Sequence, residues 1–228
     1  MAFIEVTNLV KEYPNAKGKI VALNDISLAI EKGAFVTITG ASGSGKTTLL
    51  LILGGLLHPT SGKMTFQGTE IDLQSDQTLT HFRSENIGYV MQHFALIPYL
   101  TATENVAIAF KKRLNKKEST QKAIELLESV GLGDRVTHYP RELSAGQQQR
   151  VAIARALSNN PAIILADEPT GNLDPALATE ILDLLQHINQ QHQTTIVMVT
   201  HSKEAANYGT VRIQLQEGKS LINTEQIE

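Results

Sequence analysis

The chain has 228 residues, 42% of them hydrophobic, and 20 Lys and Arg against 23 Asp and Glu for a formal charge of −3. That length and apolar content can bury a sizeable core, as one large domain or a core with a subdomain, and the near-neutral charge lacks the basic footprint of a nucleic-acid binder. With no cysteine, a disulfide framework and a thiolate metal site are excluded, which fits a reducing cytosol.

Along the chain, the opening "MAFIEVTNLV" has neither a basic lead nor a long apolar run, so no secretory leader is expected. "FIEVTNLV" and "VALNDISLAI" alternate as strands do on either side of a turn-rich gap, "YPNAKGK", and predict an antiparallel lobe. "FVTIT" (35–39), "AIILA" (162–166) and "TTIVMVT" (194–200) read as buried parallel strands with helical patterns between them. The longest apolar stretch, Leu49 to Leu57, is broken by Gly54 and Gly55 and falls short of the roughly 20 residues that span a bilayer, so a soluble chain is expected. Residues 101–110, 118–130 and 144–158 read as helices. In the second, Ile124 and Leu127, then Leu126 and Val130, share faces before "GLG" at 131–133 stops it. The basic run Lys111, Lys112, Arg113, Lys116, Lys117 reads as a solvated face at a helix boundary. The expectation is a single α/β domain over 1–228. Residues 1–92 and 161–228 would form a P-loop core with a mainly parallel sheet and an N-terminal antiparallel β lobe, and about 93–160 an inserted helical subdomain.

Three stretches carry chemistry. The run Gly40, Ala41, Ser42, Gly43, Ser44, Gly45, Lys46, Thr47, continuing into Thr48, fits G-x-x-x-x-G-K-[ST] between a strand and an apolar helix. Glycines let successive N–H groups point inward where the helix's positive pole also points, a cup suited to polyphosphate. Lys46 would reach the β and γ phosphates, and the Thr47 hydroxyl would sit on Mg²⁺. "IILADEP" ends a buried strand in two acids. Asp167 would hold Mg²⁺ directly or through water, and Glu168 would orient or deprotonate an attacking water. Paired acids at a strand end also cap following helices, and the P-loop upstream favours the chemical reading. In "LSAGQQQRVAIARAL", Ser144 and Gln147 form a capping-box pattern that serves their own helix or marks a second anion site.

Together, "GASGSGKT", "LSAGQ" and "IILADEP" resemble the Walker A loop, signature and Walker B strand of the nucleotide-binding subunit of an ABC transporter, with the likeness running end to end. The resemblance implies an ATPase binding ATP and Mg²⁺ as a head-to-tail homodimer, in which Ser144, Ala145, Gly146 and Gln147 of one copy close over the partner's ATP. It implies that Tyr13 in "KEYP" stacks on adenine, although the residue alone reads equally as a buried aromatic at a strand end. Gln92 is similar to the Q-loop residue that touches Mg²⁺ and water, His201 to the switch histidine on the γ-phosphate, and Asp174 in "GNLDP" to the D-loop acid at the dimer interface. Asp174 before Pro175 also makes a good N-cap with Pro at N1. One departure stands out: the usual signature has two adjacent glycines, and here the first is Ala145, whose methyl would face the approaching nucleotide.

"DEPTGNLDP", "GGLLHPTSG" and "ALIPYLTATENVAI" resemble the branch that includes macrolide exporters, lipoprotein-release complexes and a cell-division ATPase. That branch implies a membrane permease as partner. With no spanning helix before Glu228, the permease is expected on another chain, leaving this one cytoplasmic and peripheral at the inner membrane face. Phe94 to Leu100 is a candidate docking surface or ordinary helical core. A small-molecule kinase would share the first cup but has no need of "LSAGQQQR". A DNA-repair or translation ATPase of the same class would carry coiled-coil insertions or two cassettes. A regulator that transmits force without moving cargo shares every motif quoted.

Overall fold

The computed structural model describes residues 2–16, 18–111 and 114–223; Lys112 and Arg113 of the basic run lie outside them. β1 (Ile4–Asn15) and β2 (Gly18–Ile30) form an antiparallel hairpin, and β1 also pairs with β4 (Ser61–Phe66), which pairs with β5 (Thr69–Ile71). The resulting antiparallel sheet has the order β2-β1-β4-β5. The lobe is thus as expected, but "YPNAKGK" is mostly strand: Tyr13 pairs with Ile20, Pro14 with Lys19 and Asn15 with Gly18. Pro14 is tolerated because pairing between β1 and β4 ends at Val10 and Ser61, so no third strand needs the missing N–H. The hairpin slips register after Val6, keeping both Val6 and Leu9 inward. Asn8 and Asp25, both at positive φ, are joined there by a 2.6 Å bond from Asn8 Nδ2 to Asp25 Oδ1.

The second sheet has the order β10-β9-β3-β8-β7-β6. β3 (Phe35–Thr39), β6 (Ile87–Met91), β7 (Ile163–Asp167), β8 (Thr195–Val199) and β9 (Val211–Gln216) run parallel, and β10 (Lys219–Asn223) is antiparallel to β9. Alternate residues of these strands enter opposite cores, as a period of two demands. Val36, Ile38, Leu165 and Val197 pack with α1 (Lys46–Leu53) and the antiparallel sheet. Phe35, Ile164, Ile196 and Met198 pack with the helices on the other face.

Between β6 and β7 lie α3 (Ala102–Ala107), α4 (Lys116–Ser129), a 3-10 turn (Pro140–Glu142) and α5 (Ala145–Ala156). α3 is shorter than the expected 101–110. The C-terminus of α4 shows why "GLG" stops it: Gly131 is at φ 78, its N–H donates to Glu128 O (2.9 Å) and that of Leu132 to Leu127 O (2.8 Å). The buried face of α4 is Ala123 and Leu127, continued by Val130 at its C-cap. These helices share one core with the sheet, since Val106, Leu127 and Val151 cluster with Val90 and Ile164. Further elements stand where no sequence pattern was read: α2 (Asp76–Asn86), α7 (Lys203–Ala206), β4, β5, β9 and β10; of α6 (Pro175–His192) only the start at Asp174 and Pro175 was read. The parallel strands position the chemistry, because the carboxyl ends of β3, β6, β7 and β8 deliver the P-loop, Gln92, the acid pair and His201 to one edge of the sheet.

Candidate functional site

The loop from Gly40 to Thr48 is shaped by contacts with strands on both sides. Gly40 sits at φ 149 and a methyl there would meet Leu215 O and, at 2.6 Å, Ser44 Oγ. Gly45, at φ 98, would drive a methyl into the carbonyl oxygen of Ala22 on β2. Only glycine satisfies both the backbone conformation and the close approach. Gly45 is also the N-cap of α1 and offers no side-chain acceptor, so the first N–H groups of the helix point into the loop uncapped. Ser44 Oγ is buried, 4% exposed, and has no hydrogen-bond partner among the described residues.

Lys46 is 8% exposed, with Nζ donating to Gly40 O (2.9 Å) and Ala41 O (2.8 Å), so the loop itself holds the cation at the mouth of the cup. The Thr47 hydroxyl donates to Asp167 Oδ1 at 3.2 Å, joining residues 120 positions apart. Burial raises the pKa of Asp167, with the neighbouring Glu168 charge adding to the rise and the Thr47 hydrogen bond opposing it. Glu168 lies at φ 47, a conformation costly for a residue before proline, and its Oε2 is 2.7 Å from His201 Nδ1. A cavity of about 560 Å³ gathers this set: Gly40, Ser42, Gly43, Gly45, Lys46, Thr47, Thr48, Glu168 and His201 line it, together with Ala22.

Other expected residues lie elsewhere. Gln92 does not line the cavity: its side-chain Nε2 lies 3.5 Å from Asn172 Oδ1, and Asn172 Nδ2 donates to Gln92 O at 3.0 Å. It therefore packs on the "TGNLD" turn. Tyr13 is 36% exposed with Lys11 Nζ 5.1 Å above its ring, so it is no buried aromatic, and it too stands outside the cavity lining. Asp174 is the N-cap of α6, accepting from Ala176 N and Leu177 N at 3.1 Å each. Ser144, Ala145, Gly146 and Gln147 open α5 and are absent from this chain's own cavity lining. Ser144 and Gln147 form the reciprocal capping box, Ala145 is half-buried, and Gly146 faces Leu177, whose Cδ2 a methyl would meet at 3.1 Å.

Sequence reading missed Ala22, whose small side chain carries no chemical signal, and Asn172, whose partner Gln92 is 80 residues distant. Phe94 to Leu100 is neither core nor fully free: Leu96 packs on the helical-side core, while Tyr99 is 76% exposed. Among the described residues no helix is long and apolar enough to cross a membrane.

Comparison with known proteins gives the same picture. Residues 23–171 match the family described as ABC transporter. The lipoprotein-releasing system ATP-binding protein LolD of Aquifex aeolicus is 48% identical over 198 residues, covering 86% of this chain and 88% of LolD. The macrolide export ATP-binding/permease protein MacB of Rhodopirellula baltica is 44% identical over 218 residues, 94% of this chain but only 32% of MacB. Among solved structures, the ATP-binding cassette MJ0796 of Methanocaldococcus jannaschii, in a dimeric post-hydrolysis state bound to ADP and Pi, superposes with a TM-score of 0.87 at 41% identity, over 95% of this chain and 96% of the other. A glycine-shaped anion cup facing two acids and a histidine, with matches of this extent, has one conclusion: the chain belongs to the ABC transporter family, as one of its ATP-binding proteins.

Proposed function

We propose that the chain hydrolyses ATP as one half of a head-to-tail homodimer and thereby drives a membrane permease carried on a separate chain. The observation that carries this reading is the split between two sets of residues. One cavity collects the P-loop, Glu168 and His201, while the signature turn of the same chain lies outside it and remains open to a second copy. The dimeric MJ0796 cassette bound to ADP and Pi supports the pairing, and the length of MacB beyond the matched part supports a permease partner.

In this reading the uncapped N–H groups of α1 and Lys46 bind the triphosphate, and Ser44 Oγ gains the partner it otherwise lacks. Thr47 Oγ1 and Asp167 Oδ1, 3.2 Å apart, suit Mg²⁺, which takes one or two protein oxygens beside phosphates and water. Bound there, Mg²⁺ would neutralise phosphate charge and relieve the burial cost of the Asp167 carboxylate. Glu168 accepts a proton from the attacking water, and His201 at 2.7 Å holds the carboxylate toward the cavity. Tyr13, Gln92 and Asp174 take the adenine, switch and interface roles only once nucleotide and partner are present. Met91 and Ile108 are exposed and line a groove of about 560 Å³ whose Arg155 also binds the carbonyls of Phe94 and Ala95, and Tyr99 is exposed on the same loop, which supports permease docking near residues 94–100 and a cytoplasmic, peripheral location.

The test is Glu168→Gln, read by ATP titration, phosphate release and gel filtration. ATP affinity is expected to stay within about twofold, turnover to fall about 10²–10⁴-fold, and a dimer to accumulate with Mg-ATP. Normal turnover would remove Glu168 as the base, and a monomer under these conditions would remove the shared site.

A further inference from the structure

The turn that carries Glu168 is held in a demanding conformation. Glu168 is left-handed at φ 47 although Pro169 follows it, and the proline contributes no N–H to stabilise the segment. Such a backbone persists only where its surroundings over-determine it. Two anchors are backbone groups: Glu168 N–H donates to Val199 O (2.9 Å) and Gly171 N–H to Glu168 O (3.0 Å). The third is a side chain. Gln149 on α5 is fully buried, and its Nε2 donates to Pro169 O at 2.7 Å.

That amide is only half used. Gln149 Oε1 is buried without a hydrogen-bond partner among the described residues, and a buried polar atom left unpaired is costly enough that an apolar side chain of the same volume would serve packing better. Its position gives it a reason to be there. α5 starts at the signature residue Ser144, five residues or about 7.5 Å of helix from Gln149. The last turn of the same helix carries Arg155, whose guanidinium donates to the carbonyls of Phe94 and Ala95, both at positive φ just after Gln92. One rigid helix therefore touches the signature turn, the turn bearing Glu168 and the loop after Gln92.

We propose that Gln149 is a positioning residue for Glu168: its buried amide pins the Pro169 carbonyl and links the aim of the carboxylate to the placement of the signature helix. This rests on Glu168 being the base. A residue that acts only by aiming the base alters the chemical step and leaves nucleotide binding alone, and its effect vanishes once the base is gone.

The test uses the full chain with Mg-ATP and compares steady-state phosphate release in Gln149→Met, Gln149→Asn, Glu168→Gln and the double variant Gln149→Met with Glu168→Gln. Met keeps volume without a donor, and Asn keeps the amide but withdraws it by one methylene. We expect kcat to fall at least tenfold in both single Gln149 variants, KM for ATP to stay within twofold, and the double variant to match Glu168→Gln. If Gln149→Met does not fold, Gln149→Asn alone carries the same expectation. A kcat within twofold of the parent in a folded variant, a loss appearing in KM, or a further fall in the double variant overturns the proposal. Parental turnover by Glu168→Gln overturns instead the assignment of the base beneath it.

Discussion

The N-termini of α1 and α5 carry the same electrostatic potential and are built in opposite ways. At α1 the cap is Gly45, left-handed and without a side-chain acceptor, and the first turn holds no acid, so its orphan N–H groups await an outside anion. At α5 Ser144 and Gln147 satisfy each other's backbone groups, so two of the N–H groups at this terminus are already paired within the chain. The first terminus leaves its hydrogen bonding to be finished from outside the chain. The second is a self-capped surface that can be offered to another molecule, and the difference lies in two side chains, the Ser144 hydroxyl and the Gln147 carboxamide.

Four substitutions probe this contrast. The largest effect is expected from Gly45→Ala, which combines left-handed strain with a methyl against the Ala22 carbonyl and should cost about 2–4 kcal/mol in urea unfolding. Its counterpart Gly146→Ala meets only the end of the Leu177 side chain and gains helix propensity, so stability should stay within about 1 kcal/mol. Equal losses would mean that both turns are under the same backbone constraint. Next, Lys46→Ala removes the cation held over the α1 cup; ATP titration should show roughly 10–100-fold weaker binding, from about 1.5–3 kcal/mol for a charge-assisted contact. Unchanged affinity would count against the cup. Ser144→Ala should cost about 1 kcal/mol of stability through the lost cap while leaving ATP affinity of the monomer intact. A drop in that affinity would place α5 in its own chain's site.

The smallest effect concerns a contact remote from both termini. His58 places Nδ1 2.7 Å from Leu73 O and Nε2 2.9 Å from Asp76 Oδ1, so both ring nitrogens face acceptors. The Leu73 carbonyl first, and then Asp76, raise its pKa above the ordinary value of 6.5. Because the folded value is the higher one, the contribution is fully present below pH 6.5 and is lost as pH rises through the folded pKa. Thermal melts from pH 5.5 to 8.5 should show a modest decline in Tm that His58→Gln abolishes, and identical profiles would show that the pair is not felt.

Features specified within one helical turn were legible in the sequence. The Ser144–Gln147 box, Asp174 before Pro175 and the glycine stop after α4 each depend on residues no more than five apart, whose geometry the backbone dictates. The buried strands β3, β7 and β8 were legible for the same reason, as short apolar runs bounded by polar residues. α6 was not read although its cap was, β9 escaped because Arg212, Gln214 and Gln216 alternate with its apolar residues and leave no continuous apolar run, and β10 is a short edge strand. Tyr13 and Gln92 could be named but not placed, since Gln92 is engaged by Asn172, 80 residues away.

By itself, then, the sequence determined the local machinery: a loop that only glycine can form, a helix that begins in it, acids at the end of a strand, and a self-capped turn. Tertiary structure alone decided which of these meet. The strand order β3-β8-β7-β6 brings Thr47 to Asp167 and His201 to Glu168, and the packing of α5 and α6 puts Gly146 on Leu177 and Gln149 under Pro169. The physical reason is that capping and turn conformations are settled by a few neighbouring dihedrals and hydrogen bonds. Crossover order and helix docking are instead settled by how the whole chain buries its apolar surface, a sum that no single segment contains.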